Sequence, residues 1–597
     1  MLTHQKKIVT LCLCLLIVQQ NICTPSYFSF RPASRNSARQ YATWQPTMIL
    51  NPKKVSGKLG LIAQRSVNFN KNQLARSLFG ELLCTDNTMQ LHFSGSHSKE
   101  RSINAFLADY FYLPTDFNSS ATVCPSVKTF SASPTFRLNL DPWHKGLYCS
   151  LNTSFVHMHT NIHFKETIIE PGKNGYDEGY MVQDNSLIRT KLLENATSYF
   201  AGNTIQNDSE TIFEALKFGL IHPDGEKRNG MADTYISFGY DHYFENRSYM
   251  GIAGHLGLPT GNRVHGRVLL EPTLGNGHHW ELGGSVYGCC MIWEHSEHER
   301  TLSFVGDFYL GHLFRCEQTR VFDLIDRPFS RYMLAMEFEP TTPSEVTLET
   351  SSSPGSPTGS IVPYQFAQHY LPLANATALA VDVSASIQTD VVGMINFTSK
   401  QWTLNIGCNV WYKSKDKIDF QKAPIFNIAL KGDAQIYGYV DDSDTPIVLS
   451  ATQSNATAFS GLRFTNTTNI SDVPVLQNNA IDNPGIAVIQ NLEDNPIAPT
   501  VGLTYASNLD ASDTNNQIKT SNPPVFVTMN DLDIEGAKTS NSSCKLFYNV
   551  QYAITTESRW KPMIGMGGEA EWGHGSSSHK KSALSQWSIW GYCSFDF

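Results

Sequence analysis

Charge is scarce in this sequence: 17% of its residues are Asp, Glu, Lys or Arg, against about 25% in ordinary soluble domains. The formal net charge of −9 comes without a basic stripe, so nothing is present to neutralise a phosphate backbone, and nucleic acid is excluded as a partner. After the first residues no run of about 18 apolar residues occurs, which excludes membrane-spanning helices. The twelve cysteines contain no Cys-x-x-Cys. Cys12, Cys14 and Cys23 fall in the leader, the odd remainder cannot all pair, and the adjacent Cys289 and Cys290 point to opposite faces of any strand. Neither a zinc motif nor a disulfide framework is supported, and most cysteines read as small apolar fillers.

What is present begins with Lys6 and Lys7, the apolar run Ile8 to Val18, and the polar Gln19, Gln20 and Asn21 before Cys23. This is the pattern of a secretory signal over residues 1–23, too short to span a bilayer as a helix. Without a lipoprotein box, export without a lipid anchor is expected. Leu74, Leu78, Phe79, Leu82 and Leu83 recur at helical spacing and predict a short amphipathic helix. It falls in a less regular segment, 24–145, expected to be periplasmic or plug-like.

From residue 211 to the end the dominant period is two. Thr234, Ile236, Phe238, Tyr240, His242 and Phe244 alternate with Asp233, Tyr235, Ser237, Gly239, Asp241 and Tyr243, and after Glu245-Asn246-Arg247 the alternation resumes at Met250, Ile252, Leu256 and Leu258. That pair reads as an antiparallel hairpin. The period recurs from Trp280 to Ile292, Leu302 to Leu310, Tyr332 to Phe338, Leu379 to Ile387, Trp402 to Tyr412, Phe426 to Val440, Leu546 to Ile554, Trp560 to Trp572 and Trp587 to Phe597. Most of these runs have the roughly 9 to 15 residues that a tilted strand needs to cross hydrocarbon, with bulky aromatics near their ends. Soluble sandwich or propeller strands are shorter, about 5 to 6 residues.

Thr211 to Ile221, Arg267 to Leu274 and Pro446 to Ser454 bring the count to about 14 strands, within a range of 12 to 16 if the weakest runs fail or Leu147 to Phe164 adds a hairpin. The expected fold is all-β, a transmembrane antiparallel β-barrel over 146–597. Glu245 to Arg247, Asn396 to Lys400, Asp441 to Asp444 and Thr555 to Ser558 would be short inner turns, and the long loops 339–376 and 455–542 would lie outside the cell.

The inward face would carry Asp233, Asp241, Glu281, Asp307, Glu337, Asp382, Asp433, Glu569 and Glu571 against Lys431, Lys545 and Lys561. Carboxylates lining a pore favour cations. A porin-like passive channel for small polar solutes is therefore expected, and a structural or adhesive surface protein anchored by a closed barrel is the alternative. The last strand closes on Phe595 and Phe597, which resembles the sorting signal read by the bacterial barrel-assembly machinery. That machinery and outer-membrane lipid are the implied partners.

Several motifs lead nowhere. Gly565-Met-Gly567-Gly-Glu-Ala570 matches a dinucleotide fingerprint in letters, but it sits inside an alternating strand rather than between strand and helix. His278, His279, His295 and His298, with Glu294 and Glu297, offer ligand types without a closed four-residue set. Richness in Asn, Ser and Thr accounts for the eleven Asn-x-Ser/Thr triplets. No Gly-x-Ser-x-Gly or similar anchor occurs, so no catalytic residue, cofactor site or metal site is assigned and no enzyme is expected.

Phe106-Leu-Ala-Asp-Tyr110, Asp141-Pro-Trp-His-Lys-Gly-Leu147, Leu258-Pro-Thr-Gly-Asn262, Leu270-Glu-Pro-Thr-Leu-Gly-Asn-Gly277 and Ser330-Arg-Tyr-Met-Leu-Ala-Met336 form a set of blocks. Over the range Phe106 to Phe597 the sequence resembles a family of large outer-membrane barrel proteins from intracellular bacteria of the Dependentiae type. The resemblance implies a fold and a bacterial outer-membrane location, and it supplies no catalytic residues.

Overall fold

The computed structural model describes residues 28–43, 56–79, 89–340, 364–449 and 527–597, apart from short stretches inside these spans. Alternation of side chains dictates its main element, a closed wall of twelve strands. These are β1 (Ser56–Asn68), β2 (Ser126–Asn139), β3 (Leu147–Asn152), β4 (Thr234–Tyr243), β5 (Tyr249–Leu258), β6 (Glu281–His295), β7 (Arg300–Val321), β8 (Ala378–Ser399), β9 (Trp402–Lys413), β10 (Asn541–Ala553), β11 (Lys561–His574) and β12 (Gln586–Asp596). Each pairs antiparallel with its neighbour in the chain. β1 pairs with both β2 and β12, so that Lys58 lies between Arg137 and Asp596 and the ladder closes without an edge.

The burial pattern is that of a soluble sheet turned inside out. Along β9 the apolar Trp402, Leu404, Ile406, Cys408, Val410 and Tyr412 face outward, while Thr403, Asn405, Asn409 and Lys413 are buried inside. The same holds on β6, where Leu282, Val286 and Ile292 are exposed and Glu281 and Ser285 are enclosed. Aromatic residues gather at both ends of this apolar band. Trp402 with Tyr552 and Trp560 with Phe597 are in ring contact at one end, and Phe69 with Trp572 at the other, where Trp280 and Trp587 also lie exposed. A closed wall with an apolar outer band between two aromatic girdles is the architecture of a transmembrane β-barrel.

The strand directions sort the connections by length. Short turns join β2 to β3, β4 to β5, β6 to β7, β8 to β9 and β10 to β11, at the end that also holds the start of β1 and the end of β12; this is the terminal end. All the long connections emerge at the opposite end, and the described parts of them fold into a cap with its own core. Two four-stranded sheets stand there, one from Gln90–Ser94, Phe106–Leu107, Asn118–Thr122 and Lys165–Glu170, the other from Ile428–Leu430, Leu334–Pro340, Tyr364–Pro372 and Ile212–Phe213. Phe93 stacks on Phe106 at 5.1 Å and meets Phe111 edge-on at 5.3 Å, at the centre of an aromatic cluster that includes Phe164, Tyr199 and Phe200. β7 and β8 rise beyond the membrane band into this cap, each 22 residues long.

The expected strands divide accordingly. The runs from Thr234, Met250, Trp280, Leu302, Leu379, Trp402, Leu546, Trp560 and Trp587 are wall strands, although two of them are far longer than their apolar alternation revealed. Thr211 to Ile221, Tyr332 to Phe338, Phe426 to Val440 and Pro446 to Ser454 contribute only short strands outside the wall, and Arg267 to Leu274 contributes none. Three wall strands lie where no transmembrane strand was expected or only a hairpin was considered: β1, β2 and β3. Residues 24–145 are therefore not a separate N-terminal unit. The predicted helix exists as Lys71–Phe79 after the first wall strand, and its Leu74, Leu78 and Phe79 pack into the cap core; Leu82 and Leu83 lie outside the described residues. The wall strand β8 continues through Asn396 to Ser399, which moves the expected Asn396 to Lys400 turn to its last residues. The expected signal, the Asp441 to Asp444 turn and most of the 455–542 loop also lie outside the described residues.

Two outcomes follow from the wall and the cap. Ile406→Arg places a charge in the middle of β9, where Ile406 is 57% exposed to the apolar band. It should cost about 2–4 kcal/mol of folding into lipid vesicles, against about 0–1 kcal/mol for Leu59→Arg near the terminal rim; equal costs would contradict the placement of the band. In the cap, His369 Nδ1 lies 2.5 Å from Glu337 and its Nε2 lies 3.3 Å from Glu214, beside the parallel pairing of His369 with Ile212. The hydrogen bond to Glu214 raises the His369 pKa, with Glu337 adding to it and burial opposing, while the bond from His369 holds Glu214 down at about 2. The imidazolium tie is thus fully present below the ordinary histidine pKa of about 6.5 and is lost as pH rises through the raised value. Protection of the Phe213 and Tyr370 amides, corrected for the intrinsic pH dependence of hydrogen exchange, should fall over that window in the native protein and stay flat in His369→Gln.

Candidate functional site: a plugged lumen

The lumen is not empty. Residues 28–43, ending in the helix α1 (Ser37–Thr43), run through the tube from the cap toward the terminal end. Phe28 and Phe30 belong to the cap core. The Ser29 carbonyl accepts a hydrogen bond from Asn541 at the cap end of β10 (3.1 Å). Deeper, the Ala42 carbonyl accepts from Asn405 (3.2 Å) and Asn549 (3.0 Å) on adjacent wall strands. These two asparagines satisfy a helix-end carbonyl that would otherwise be buried without a partner.

The segment carries Arg31, Arg35 and Arg39 at intervals of four, and each meets a polar group of the wall. Arg31 donates to Asp390 on β8 (2.6 Å), Asn409 on β9 (2.7 Å) and Glu571 on β11 (3.3 Å). Arg35 donates to Glu281 on β6 (2.5 Å) and lies over the Tyr309 ring, 3.0 Å from its centre. Arg39 bonds Gln64 on β1 and reaches Ser133 on β2 at 3.2 Å. Asn36 donates to both oxygens of Glu569 at 3.1 Å, and Ser37 donates to Asp390 at 2.9 Å. Acidic wall and basic segment neutralise each other inside a tube where an unpaired charge would be costly.

The wall also pairs charges of its own. Lys545 sits 3.1 Å from Glu569 and 3.8 Å from Glu571, and Arg137 bonds Asp241 while its guanidinium lies 3.7 Å from the Tyr148 ring centre. Glu281 further accepts from Tyr235 (2.8 Å) and Tyr309 (2.5 Å). Tyr309 can lie flat along the wall only because Gly283 and Gly311, paired across β6 and β7, leave a slot: a Cβ at either position would stand 2.1 Å from the tyrosine hydroxyl. His255 is bridged by Ser237 and Ser285, both at 2.7 Å. Among the described residues, cavities of about 90 Å³ toward β3–β7 and about 60 Å³ toward β1 and β9–β12 lie beside the segment. Each has room for a few water molecules.

Of the residues expected inside a pore, Asp241, Glu281, Asp307, Lys545, Glu569 and Glu571 face the lumen. The others do not. Asp233 clamps a turn, accepting from the Asn276 amide at 2.6 Å and the Gly261 amide at 3.4 Å. Asp382 pairs with Arg315 (2.5 Å) on the parts of β7 and β8 that rise above the membrane band. Glu337 is the His369 partner in the cap, and Lys431 is buried there with its ammonium 5.8 Å from the Tyr370 ring centre. Lys561 is exposed at the terminal end, and Asp433 lies outside the described residues. Sequence reasoning missed Asp390, because the alternation was followed only to Ile387, and it missed the arginines. Their regular spacing ahead of the first strand was the available signal.

No family model matches the chain, and no curated protein matches it. Among solved structures the chain is similar to an outer membrane channel from Pseudomonas putida F1, at 7% identity and a TM-score of 0.31 over 93% of this chain and 100% of that one. It is also similar to the beta domain of the Bordetella autotransporter BrkA, at 5% identity and 0.24 over 91% and 99%. A Pseudomonas aeruginosa FadL homologue stands at 5% and 0.24 over 91% and 90%. The barrel itself rests on the wall pairings alone.

Removing Arg35 leaves the buried Glu281 carboxylate without its cation. Arg35→Ala should destabilise the docked segment by about 3–5 kcal/mol, read as a lower urea midpoint for protection of residues 28–43 from protease in detergent. Adding Glu281→Gln should recover much of the loss. An unchanged midpoint in Arg35→Ala would rule out the plug assignment.

Proposed function

We propose that this protein is an outer-membrane channel for small polar solutes, held shut by its own residues 28–43. The observation that supports this reading is how the lumen is filled. Asp390, Glu571 and Glu281 are neutralised by arginines on a segment that is not part of the wall strands that carry them. Withdrawal of that segment would leave a polar tube lined by carboxylates, which prefers cations. Short turns at the terminal end and long connections at the cap end match the usual periplasmic and extracellular ends of such barrels, so the cap faces outward. Phe595 on the outer face of β12 and the terminal Phe597 are the groups through which the assembly machinery would receive the last strand. Membership of the Dependentiae-type barrel family belongs to this same proposal.

A second reading has its own support: the cap is a folded body with a continuous buried core, not a set of loops, and a closed barrel would anchor it to the surface. Planar-bilayer recordings separate the two. The whole chain should give little stable conductance, and the chain lacking residues 28–43, or with Arg31, Arg35 and Arg39 all changed to Gln, should give stable cation-preferring openings. Folded but silent variants would replace the channel with the anchor.

A further inference from the structure

The turn between β6 and β7 holds ligand groups that neither the wall nor the plug uses. Its sequence, His295-Ser-Glu297-His298, forms a single 3-10 turn over Ser296–His298. In that geometry residues three apart eclipse one another, and His295 and His298 accordingly stack, with ring centres 4.7 Å apart and planes 19° from parallel. Glu297 joins them: one ligand atom from each of the three lies within 4.8 Å of the others. The turn is fixed at both ends, because His295 pairs with Arg300 across the hairpin and Glu299 closes the reversal at a positive φ of 48°.

We infer that this turn is a binding site for a divalent transition-metal ion, with zinc as the occupant that two imidazoles and one carboxylate suit best. Zinc bonds to such ligands are about 2.0–2.2 Å, so donors at tetrahedral angles around one ion stand roughly 3.3–3.6 Å apart. Rotation about the side-chain torsions, which also unstacks the two rings, closes the remaining distance of roughly an ångström. The Nδ1 atom of His295 is shut off from solvent without a hydrogen bond, which leaves that nitrogen uncommitted to any other partner. Two nitrogen donors select against calcium and magnesium, which take oxygen. With three protein ligands the fourth position falls to water, as in an open rather than a sealed site. The turn projects from the terminal end, beyond the apolar band, where an ion in solution reaches it.

The test uses the untagged full chain, folded in detergent, stripped with a chelator and titrated with zinc chloride by calorimetry. The native protein should bind one equivalent more than the double variant His295→Ala/His298→Ala, and Glu297→Gln should weaken that equivalent without abolishing it. Excess magnesium or calcium should not displace it. Retained heat-dependent gel mobility identifies variants that still fold. Copper(II) bound to the native protein gives a readout that needs no variant: its electron paramagnetic resonance spectrum should show coupling to two imidazole nitrogens. Equal zinc uptake by native and double variant, displacement by magnesium, or an oxygen-only copper spectrum would each overturn the site.

Discussion

Inside a closed barrel every inward carboxylate is held in a narrow polar core with an apolar band around it, and its charge must be met at close range. Asp390, Glu281, Glu569 and Glu571 therefore set the terms for the rest of the interior. The wall meets part of the demand itself, with Lys545 between Glu569 and Glu571 and Arg137 against Asp241. The remainder is met by Arg31 and Arg35. Complementarity of this kind gives position more than net stability, since taking paired charges out of water offsets much of their attraction. The segment is held in one register because a shift of a single residue would leave arginines and acids facing the wrong partners.

The outer face was legible from letters because nothing competes there with the period of two. The exposed apolar sides of β4 to β6 and β9 to β12 follow the alternation almost residue for residue. β1 and β2 were not legible for a physical reason. Their outward positions include Ala63, Arg65 and Lys128, whose letters do not read as membrane-facing, and β2 carries inward Ser131 and Ser133. The short runs that begin at Tyr332 and Phe426 misled in the opposite sense: Tyr332, Leu334, Met336, Ile428 and Leu430 serve the cap core, where a soluble sheet also alternates. In the lumen the acids could be counted along strands. What they bind could not, because Arg31 and Glu571 are 540 positions apart and no local pattern relates them.

The cap changes what the long connections mean. A loop need only return the chain to the next strand, but here two small sheets and the helix Lys71–Phe79 share a buried core with Phe28 and Phe30 at the head of the plug. The plug is thus fastened at both ends, by apolar packing above and by Asn405 and Asn549 below. Loosening it requires work against the cap as well as against the ion pairs.

Chain order adds a dimension that distances do not show. The plug is the earliest described stretch of the polypeptide, while its partners Glu569 and Glu571 stand on the next-to-last strand. Arg31 accordingly lacks Glu571, and Asn36 lacks Glu569, until nearly the whole chain has been delivered and the wall has come full circle. Only a barrel with every strand in register presents acids at all the required heights, so docking of residues 28–43 registers the completeness of the molecule around it. A barrel missing a strand, or closed one residue out of step, would have the same outer skin and an interior its own beginning no longer fits.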